Sequence, residues 1–366
     1  MKISRIARIS AVGAVAALAL AGCAANEPAA PASSEEPSAS TLEGTLTASG
    51  ASSQGAAQQA WVAEFQKANP GVTINYEPTG SGTGRERFAA GASDFIGSDR
   101  AYKLDEFAAG FKTCSSDAIV EVPLYISPVA VAFNLEGIDA LNLDAKTIAG
   151  IFAGTITNWN DPAIAEQNAD AELPDLAISP VHRSDDSGTT DTFTSYLSTT
   201  AGDVWTHEPD GEWPIQGGEA AQGTSGVVQA IKAGNGAIGY ADASQTDGLG
   251  QVHVGVGGEY VAYSAEAAAA LVEASPLEEG RGAADLVFAV DAAAAPAGSY
   301  PIALVSYLIA CEQYEDENTA KLVKSYFEFI ASEEGQKVAA DNAGSAPISE
   351  GLREKVLAAI DTIKVG

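Results

Sequence analysis

The chain has 366 residues, 46% of them hydrophobic and 37 of them glycine, which is enough for two α/β domains with a core in each. Asp and Glu outnumber Lys and Arg by 49 to 19, for a net charge of −30. That balance excludes nucleic acid as a partner, because a phosphate backbone needs a basic face, and it describes a soluble surface that repels other acidic surfaces.

The N-terminus reads as a targeting signal. Lys2, Arg5 and Arg8 form a positive region, and Ile9 to Leu20 form an apolar run too short to span a bilayer comfortably. The run ends in Leu20-Ala21-Gly22-Cys23, which resembles the bacterial lipoprotein cleavage box, where the signal is cut before the cysteine and the thiol is acylated. The expectation is a lipoprotein signal peptide over 1–22 and a lipid on Cys23. An ordinary signal peptide with an incidental cysteine is the alternative. Residues 24–43, "AANEPAAPASSEEPSASTLE", have little to bury, so 23–43 reads as a lipid-anchored disordered tether reaching about 25 Å. The folded part then works on the extracytoplasmic face of the cell membrane, held by lipid alone.

From Thr45 onward, strand-like runs alternate with helical ones. "LTASG" leads into "AAQQAWVAEFQKANPG", where Trp61, Val62 and Phe65 share one helical face and Gly71 ends the element. "VTINY" (72–76), "DFIGS", "AIVEVPLY" (118–125) and "VAVAF" (129–133) read as separate strands. "DAKTIAGIFAG", "TDTFTSYL" and "GVVQAIKAG" are predicted helices, with "AISPVHR" and "GAIGYAD" as strands between and after them. Late in the chain "YPIALVSYLIA" is a long strand and "NTAKLVKSYFEFIAS" an amphipathic helix. There is no internal repeat, and the alternation predicts α/β layers with largely parallel sheets.

Three places share one design, in which a strand ends, small residues follow and a helix begins. They are Gly50-Ala51-Ser52-Ser53, Gly80-Ser81-Gly82-Thr83-Gly84 and Ser187-Gly188-Thr189-Thr190. Helix N-termini leave N–H groups unpaired and carry partial positive charge, so each turn is a plausible anion cradle. Singly, each reads more readily as a plain helix cap, and it is three together, with an arginine next to the third, that point to a site. "GSGTGR" lacks the lysine of a P-loop and the spacing of a dinucleotide fingerprint. Arg183 follows a strand next to the third turn, and its guanidinium suits a tetrahedral oxyanion, with Asp185 to hold it. The alternative is a structural Arg–Asp pair. Asp99, in "SDFIGSD", is the odd member, since a carboxylate repels an anion unless the anion has a proton to donate. Hydrogen phosphate has one and sulfate does not; a surface pair with Arg100 is the other reading of Asp99. Cys114 and Cys311 read as one disulfide or as a free buried pair. The histidines His182, His207 and His253 lie far apart, so neither a metal site nor a cofactor is expected.

At these residues the sequence resembles the high-affinity phosphate-binding proteins of bacterial phosphate ABC transporters. The likeness runs from about Leu46 to the C-terminus through "GASS", "NYEPTGSGTG", "DFIGSD", "IFAGTITNWND", "VHRSDDSGTTDTFTSYL", "WPIQGG", "GAIGYAD" and "YPIALVSYLI". It implies a two-lobed periplasmic-binding-protein fold with two crossovers and the ligand in the interlobe cleft. Residues 44–124 and 300–366 would form one lobe, and 125–299 the other. Ser52, the N–H of Ser53, Ser81 and Asp99 resemble the donors and acceptor of the first lobe. Arg183, Ser187, Gly188 and Thr189 resemble the cluster of the second, with Asp185 orienting the arginine. Cys114 and Cys311 then share a lobe, which favours the disulfide. One departure stands out: the family often has an aromatic and a proline after the first hydroxyl, where this chain has Ser53 and Gln54. Backbone donation there survives any side chain.

The function so implied is extracellular capture of inorganic phosphate by a monomer and delivery to the permease subunits of an importer. A secreted phosphatase or hydrolase is the rival, but His182 is the only histidine near the cluster and no G-x-S-x-G elbow occurs. A binding protein or sensor for another oxyanion, such as sulfate, is the second rival, and Asp99 argues against sulfate.

Overall fold

The computed structural model describes residues 42–366. The signal peptide expected over 1–22, Cys23 and nearly all of the tether lie outside the described residues. Glu43, assigned to the tether, already opens the first strand.

The first half of the fold begins β1 (Glu43–Gly50), α1 (Gly55–Ala68), β2 (Gly71–Glu77), α2 (Ser81–Ala90) and β3 (Phe95–Ser98). The chain crosses on β4 (Ile119–Phe133) and continues through β5 (Ala140–Leu143), α3 (Ala145–Phe152), α4 (Pro162–Ala165), β6 (Ser179–Arg183) and α5 (Gly188–Ala201). There follow β7 (Glu219–Ala221), α6 (Gly223–Ala233), β8 (Ala237–Asp242), β9 (Gly250–Val256), β10 (Glu259–Val261) and α7 (Ala265–Ala274). The return is β11 (Ala303–Cys311), then α8 (Glu317–Ala331), α9 (Glu333–Ala343) and α10 (Glu350–Ile360).

These strands run in the order β2-β1-β3-β11-β4-β8-β6-β7, with β9 also paired to β4 and carrying β5 and β10. The outer groups are parallel as expected: β1 pairs with β2 and β3, and β6 with β7 and β8. The middle is antiparallel, because β11 runs against both β3 and β4, and β4 against β8. The largely parallel expectation is thus corrected to a mixed sheet. Its cause is connectivity, since β4 carries the chain out of the first half and its neighbour β11 brings it back.

A second correction concerns "AIVEVPLY" and "VAVAF", which form one 15-residue strand, buried along its whole length. Up to Pro128 it pairs with β11, and from Val129 onward with β8. The proline lacks an N–H, so it sits where the strand changes partner rather than where it stops.

The first half packs helices on its sheet through large apolar side chains. Trp61 and Phe65 of α1, Phe95 of β3, and Tyr326 and Phe327 of α8 are all nearly or wholly buried, each contributing about 2–3 kcal/mol. Trp61 Nε1 donates to the Gly335 carbonyl at 2.7 Å, tying α1 to α9. A disulfide joins Cys114, in the loop after β3, to Cys311 at the end of β11. Among the described residues, no helix is long and apolar enough to cross a membrane.

Candidate functional site

Parallel strands put all their C-terminal ends on one edge, and the helices that follow begin there. This places the starts of α1 and α2, Asp99 after β3, and the start of α5 after β6 around one point. Glycine permits the approach. A Cβ on Gly188 would lie 2.5 Å from Asp99 Cβ and 2.8 Å from the Arg100 nitrogen, so only glycine lets α5 sit on Asp99. Gly80 has φ of 99°, and a Cβ there would lie 2.4 Å from Asp185 Oδ2.

Asp99 is the hub. Its Oδ1 accepts from Ser53 Oγ and Ser306 Oγ, each at 2.5 Å, and its Oδ2 from Thr189 Oγ1 at 2.9 Å. Its backbone N–H donates to Ser81 Oγ at 3.1 Å. The expected partner Arg100 turns away, placing its terminal nitrogens 2.8 and 3.0 Å from the two oxygens of Glu106. Burial raises the Glu106 carboxyl, but hydrogen bonds from Arg100 and Lys103 and the Arg100 charge bring it down to about 2. The surface-pair reading of Asp99 is therefore overturned.

Arg183 is 3% exposed and gives Nε to Asp185 Oδ1 at 2.8 Å and one terminal nitrogen to Oδ2. Its other terminal nitrogen donates to no protein group among the described residues. Asp185 Oδ1 also accepts from the Gly223 N–H at 3.1 Å. Next to it, Thr224 donates its N–H to Ser52 Oγ at 3.0 Å, and the two hydroxyls also lie 3.0 Å apart. Ser52, Ser53, Ser81, Asp99, Arg183, Asp185, Ser187, Gly188 and Thr189 thus fall in one cluster drawn from both halves. Arg85 closes its rim, giving one terminal nitrogen to Ser98 Oγ and the other to Asp186 Oδ2, each at 3.0 Å. Burial and the nearby Arg100 lower the Arg85 pKa.

The cap alternative divides by turn. Ser187 caps α5, its Oγ accepting from the Thr190 N–H at 3.3 Å. The caps of α1 and α2, Gln54 and Gly80, make no side-chain capping bond. The N–H groups of Ser53, Ser81, Gly188 and Thr189 have no acceptor among the described residues. Buried donors of this kind, beside one guanidinium, form a cradle suited to an oxyanion.

Two members escaped the sequence reading. Thr224 follows the same strand, small-residue and helix-start design in "AAQGTSGVV", so that rule applied a fourth time finds it. Ser306 is the one small polar residue in the apolar run "IALVSYLIA", and its signal is a polar residue facing a core. His182 stacks on Trp213 with ring centres 5.1 Å apart, its nitrogens 2.8 Å from the Arg183 carbonyl and 3.1 Å from that of Gly217. Neither nitrogen is bonded to a hydroxyl it could activate. No group of three or more His, Cys, Asp or Glu placed to hold a metal occurs among the described residues.

Residues 33–334 match the model of the PBP superfamily domain. The phosphate-binding protein PstS 3 of Mycobacterium tuberculosis is 36% identical over 325 residues, 87% of this chain and 86% of that protein. The phosphate-binding protein PstS of Pasteurella multocida is 32% identical, covering 86% of this chain and 89% of its own length. Among solved structures, a high-affinity periplasmic phosphate-binding protein, PfluDING, bound with phosphate, superposes with a TM-score of 0.69 at 23% identity. That match covers 86% of this chain and 93% of the other, and shows a common fold.

Proposed function

Given that this chain belongs to the PstS phosphate-binding proteins of the PBP superfamily, we propose that it closes two lobes over one inorganic phosphate. The bound anion is then passed to the permease subunits of an ABC-type importer. The lobes are residues 44–124 with 300–366, and 125–299, joined at β4 and β11. From the first lobe come the hydroxyl of Ser52, the N–H of Ser53, the hydroxyl of Ser81 and the Asp99 carboxylate. From the second come Arg183, held by Asp185, and the donors of Ser187, Gly188 and Thr189.

One observation carries the reading: a buried carboxylate, Asp99, stands among donors that suit an anion. Three protein hydroxyls fill all but one lone pair of the carboxylate, on Oδ2, and a ligand meets that one favourably only if it brings a proton. Hydrogen phosphate donates it to Asp99, while its other oxygens accept from N–H groups, hydroxyls and Arg183. Sulfate would set lone pair against lone pair in a site from which water is excluded. The net charge of −30 is compatible with this, since surface charges beyond a Debye length of about 8 Å are screened at physiological salt.

The chain acts as a binding protein rather than an enzyme, a reading supported by relatives named phosphate-binding proteins and by neither nitrogen of His182 being bonded to a hydroxyl. It works as a monomer on the extracytoplasmic face of the membrane, anchored by lipid on Cys23. Titration calorimetry on the full-length chain tests the reading. One phosphate should bind per chain without added metal, and phosphate esters should persist undegraded. Binding abolished by a chelator, or steady release of phosphate from an ester, refutes it.

A further inference from the structure

The direction in which Asp99 presents its oxygens is set from behind, inside the first lobe. Ser306 lies on β11 where the register against β4 shifts between Ser306 and Tyr307, and its hydroxyl reaches Asp99 Oδ1 at 2.5 Å. Ser306 Oγ in turn accepts from Gln54 Nε2 at 2.6 Å. The same Nε2 lies 3.2 Å from the Tyr307 carbonyl, an oxygen that can only accept. That carbonyl decides which way the Gln54 amide faces, with NH₂ toward β11 and Oε1 away from it. Gln54 Oε1 therefore accepts from Gln58 Nε2 at 2.9 Å, and Gln58 Oε1 from the Tyr326 hydroxyl at 3.0 Å. Burial raises the Tyr326 pKa well above its ordinary value, so the phenol keeps the proton it donates.

Every donor in this line faces the same way, and the line ends on Asp99. Gln54, Ser306 and Tyr326 are fully buried and Gln58 is 1% exposed, so water does not compete for these bonds. In such surroundings successive hydrogen bonds polarise one another and favour one arrangement. Ser53 adds a second donor to the same Asp99 oxygen.

We propose that the line Tyr326–Gln58–Gln54–Ser306 is a specificity determinant of the phosphate site. These are positioning residues: by filling Oδ1 they hold the Asp99 carboxylate against rotation, so that the free lone pair of Oδ2, beside the bond from Thr189, faces the ligand. The same fixed oxygen attracts an anion that carries a proton and repels one that does not. Loosening it weakens both effects, so phosphate and sulfate become more alike. The inference rests on the phosphate reading above. A purely structural polar network would behave differently, changing the affinity for both anions in parallel.

Ser306→Ala, Gln54→Met and Tyr326→Phe cut the line at increasing distance from Asp99 with little change of shape. Phosphate and sulfate are titrated into the full-length wild type and each variant at matched ionic strength and neutral pH, with circular dichroism to verify the fold. Ser306→Ala is expected to narrow the phosphate-to-sulfate ratio roughly tenfold or more, Gln54→Met by less, and Tyr326→Phe by least. A ratio unchanged in Ser306→Ala and Tyr326→Phe, whether both affinities hold or fall together, overturns the proposal and leaves the phosphate reading standing. A wild type that shows no preference for phosphate overturns both. Should Gln54→Met fail to fold, the other two variants decide the matter.

Discussion

Replacing Asp99 with asparagine tests the discrimination between anions at its centre. The carboxylate has one oxygen with two hydroxyl donors, Ser53 and Ser306, and one with a single donor, Thr189. The amide introduced by Asp99→Asn should put its carbonyl on the two-donor side, because an NH₂ there would face two O–H groups. Its NH₂ then takes the place of Oδ2, where the Thr189 hydroxyl can rotate to accept. Phosphate loses a charge-assisted bond, worth about 1.5–3 kcal/mol, and keeps a weaker one to the amide. Sulfate exchanges a repulsive contact for a donor. A site built around such a bond typically rejects the analogue that lacks it by about 10⁴-fold, and the variant should recover about 10²-fold of that, mostly by admitting sulfate. Calorimetric titration of both anions into wild type and Asp99→Asn at matched ionic strength reads the ratio directly. If the variant rejects sulfate as strongly as wild type, Asp99 does not discriminate. Pairing with Arg100 is no longer available as the explanation, since Arg100 is committed to Glu106.

Arg183→Ala should leave the protein folded but weaken phosphate binding by about 3 kcal/mol or more, as a buried anion loses its guanidinium; unchanged affinity would place the site elsewhere. Small-angle scattering should show wild type compacting when phosphate is added, and a constant radius of gyration would count against closure of the lobes. Joint Cys114→Ser and Cys311→Ser replacement should lower stability to denaturant by about 2–5 kcal/mol with phosphate affinity intact, and equal stability would make the bridge incidental. Burial raises Asp242 to about 6, against hydrogen bonds from Ser127, Ser244 and Tyr125 that lower it. Folded Asp242 therefore binds its proton more tightly than unfolded Asp242, so its contribution to stability appears as pH falls through about 6 and is missing at neutral pH. Relative to wild type, Asp242→Asn should be more stable at pH 7 than at pH 4.5 by about 2 kcal/mol in urea titrations, and a difference independent of pH would refute this.

What the sequence determined by itself is local. The strand, small-residue and helix-start units were legible because backbone propensity and capping chemistry act over a few residues. Arg183 ends β6 and Asp185 follows two positions on, so their pairing could be anticipated; so could Ser187 at the start of α5. The resemblance then implied that these turns share one cleft, which lies beyond any local pattern. Tertiary structure decided the rest. Periodicity reports that β4 and β11 are buried, but not that they lie side by side and antiparallel, nor that Pro128 marks a change of partner within one strand. Arg100 sits beside Asp99 in sequence, yet in the bend after β3 it turns to Glu106, six positions on, while Asp99 turns to Ser53, Ser306 and Thr189. Ser306 reaches Asp99 across 207 positions, and Thr224 reaches Ser52 across 172. Contacts of that span depend on strand order and register, which many distant apolar contacts set together, so no short stretch of sequence encodes them.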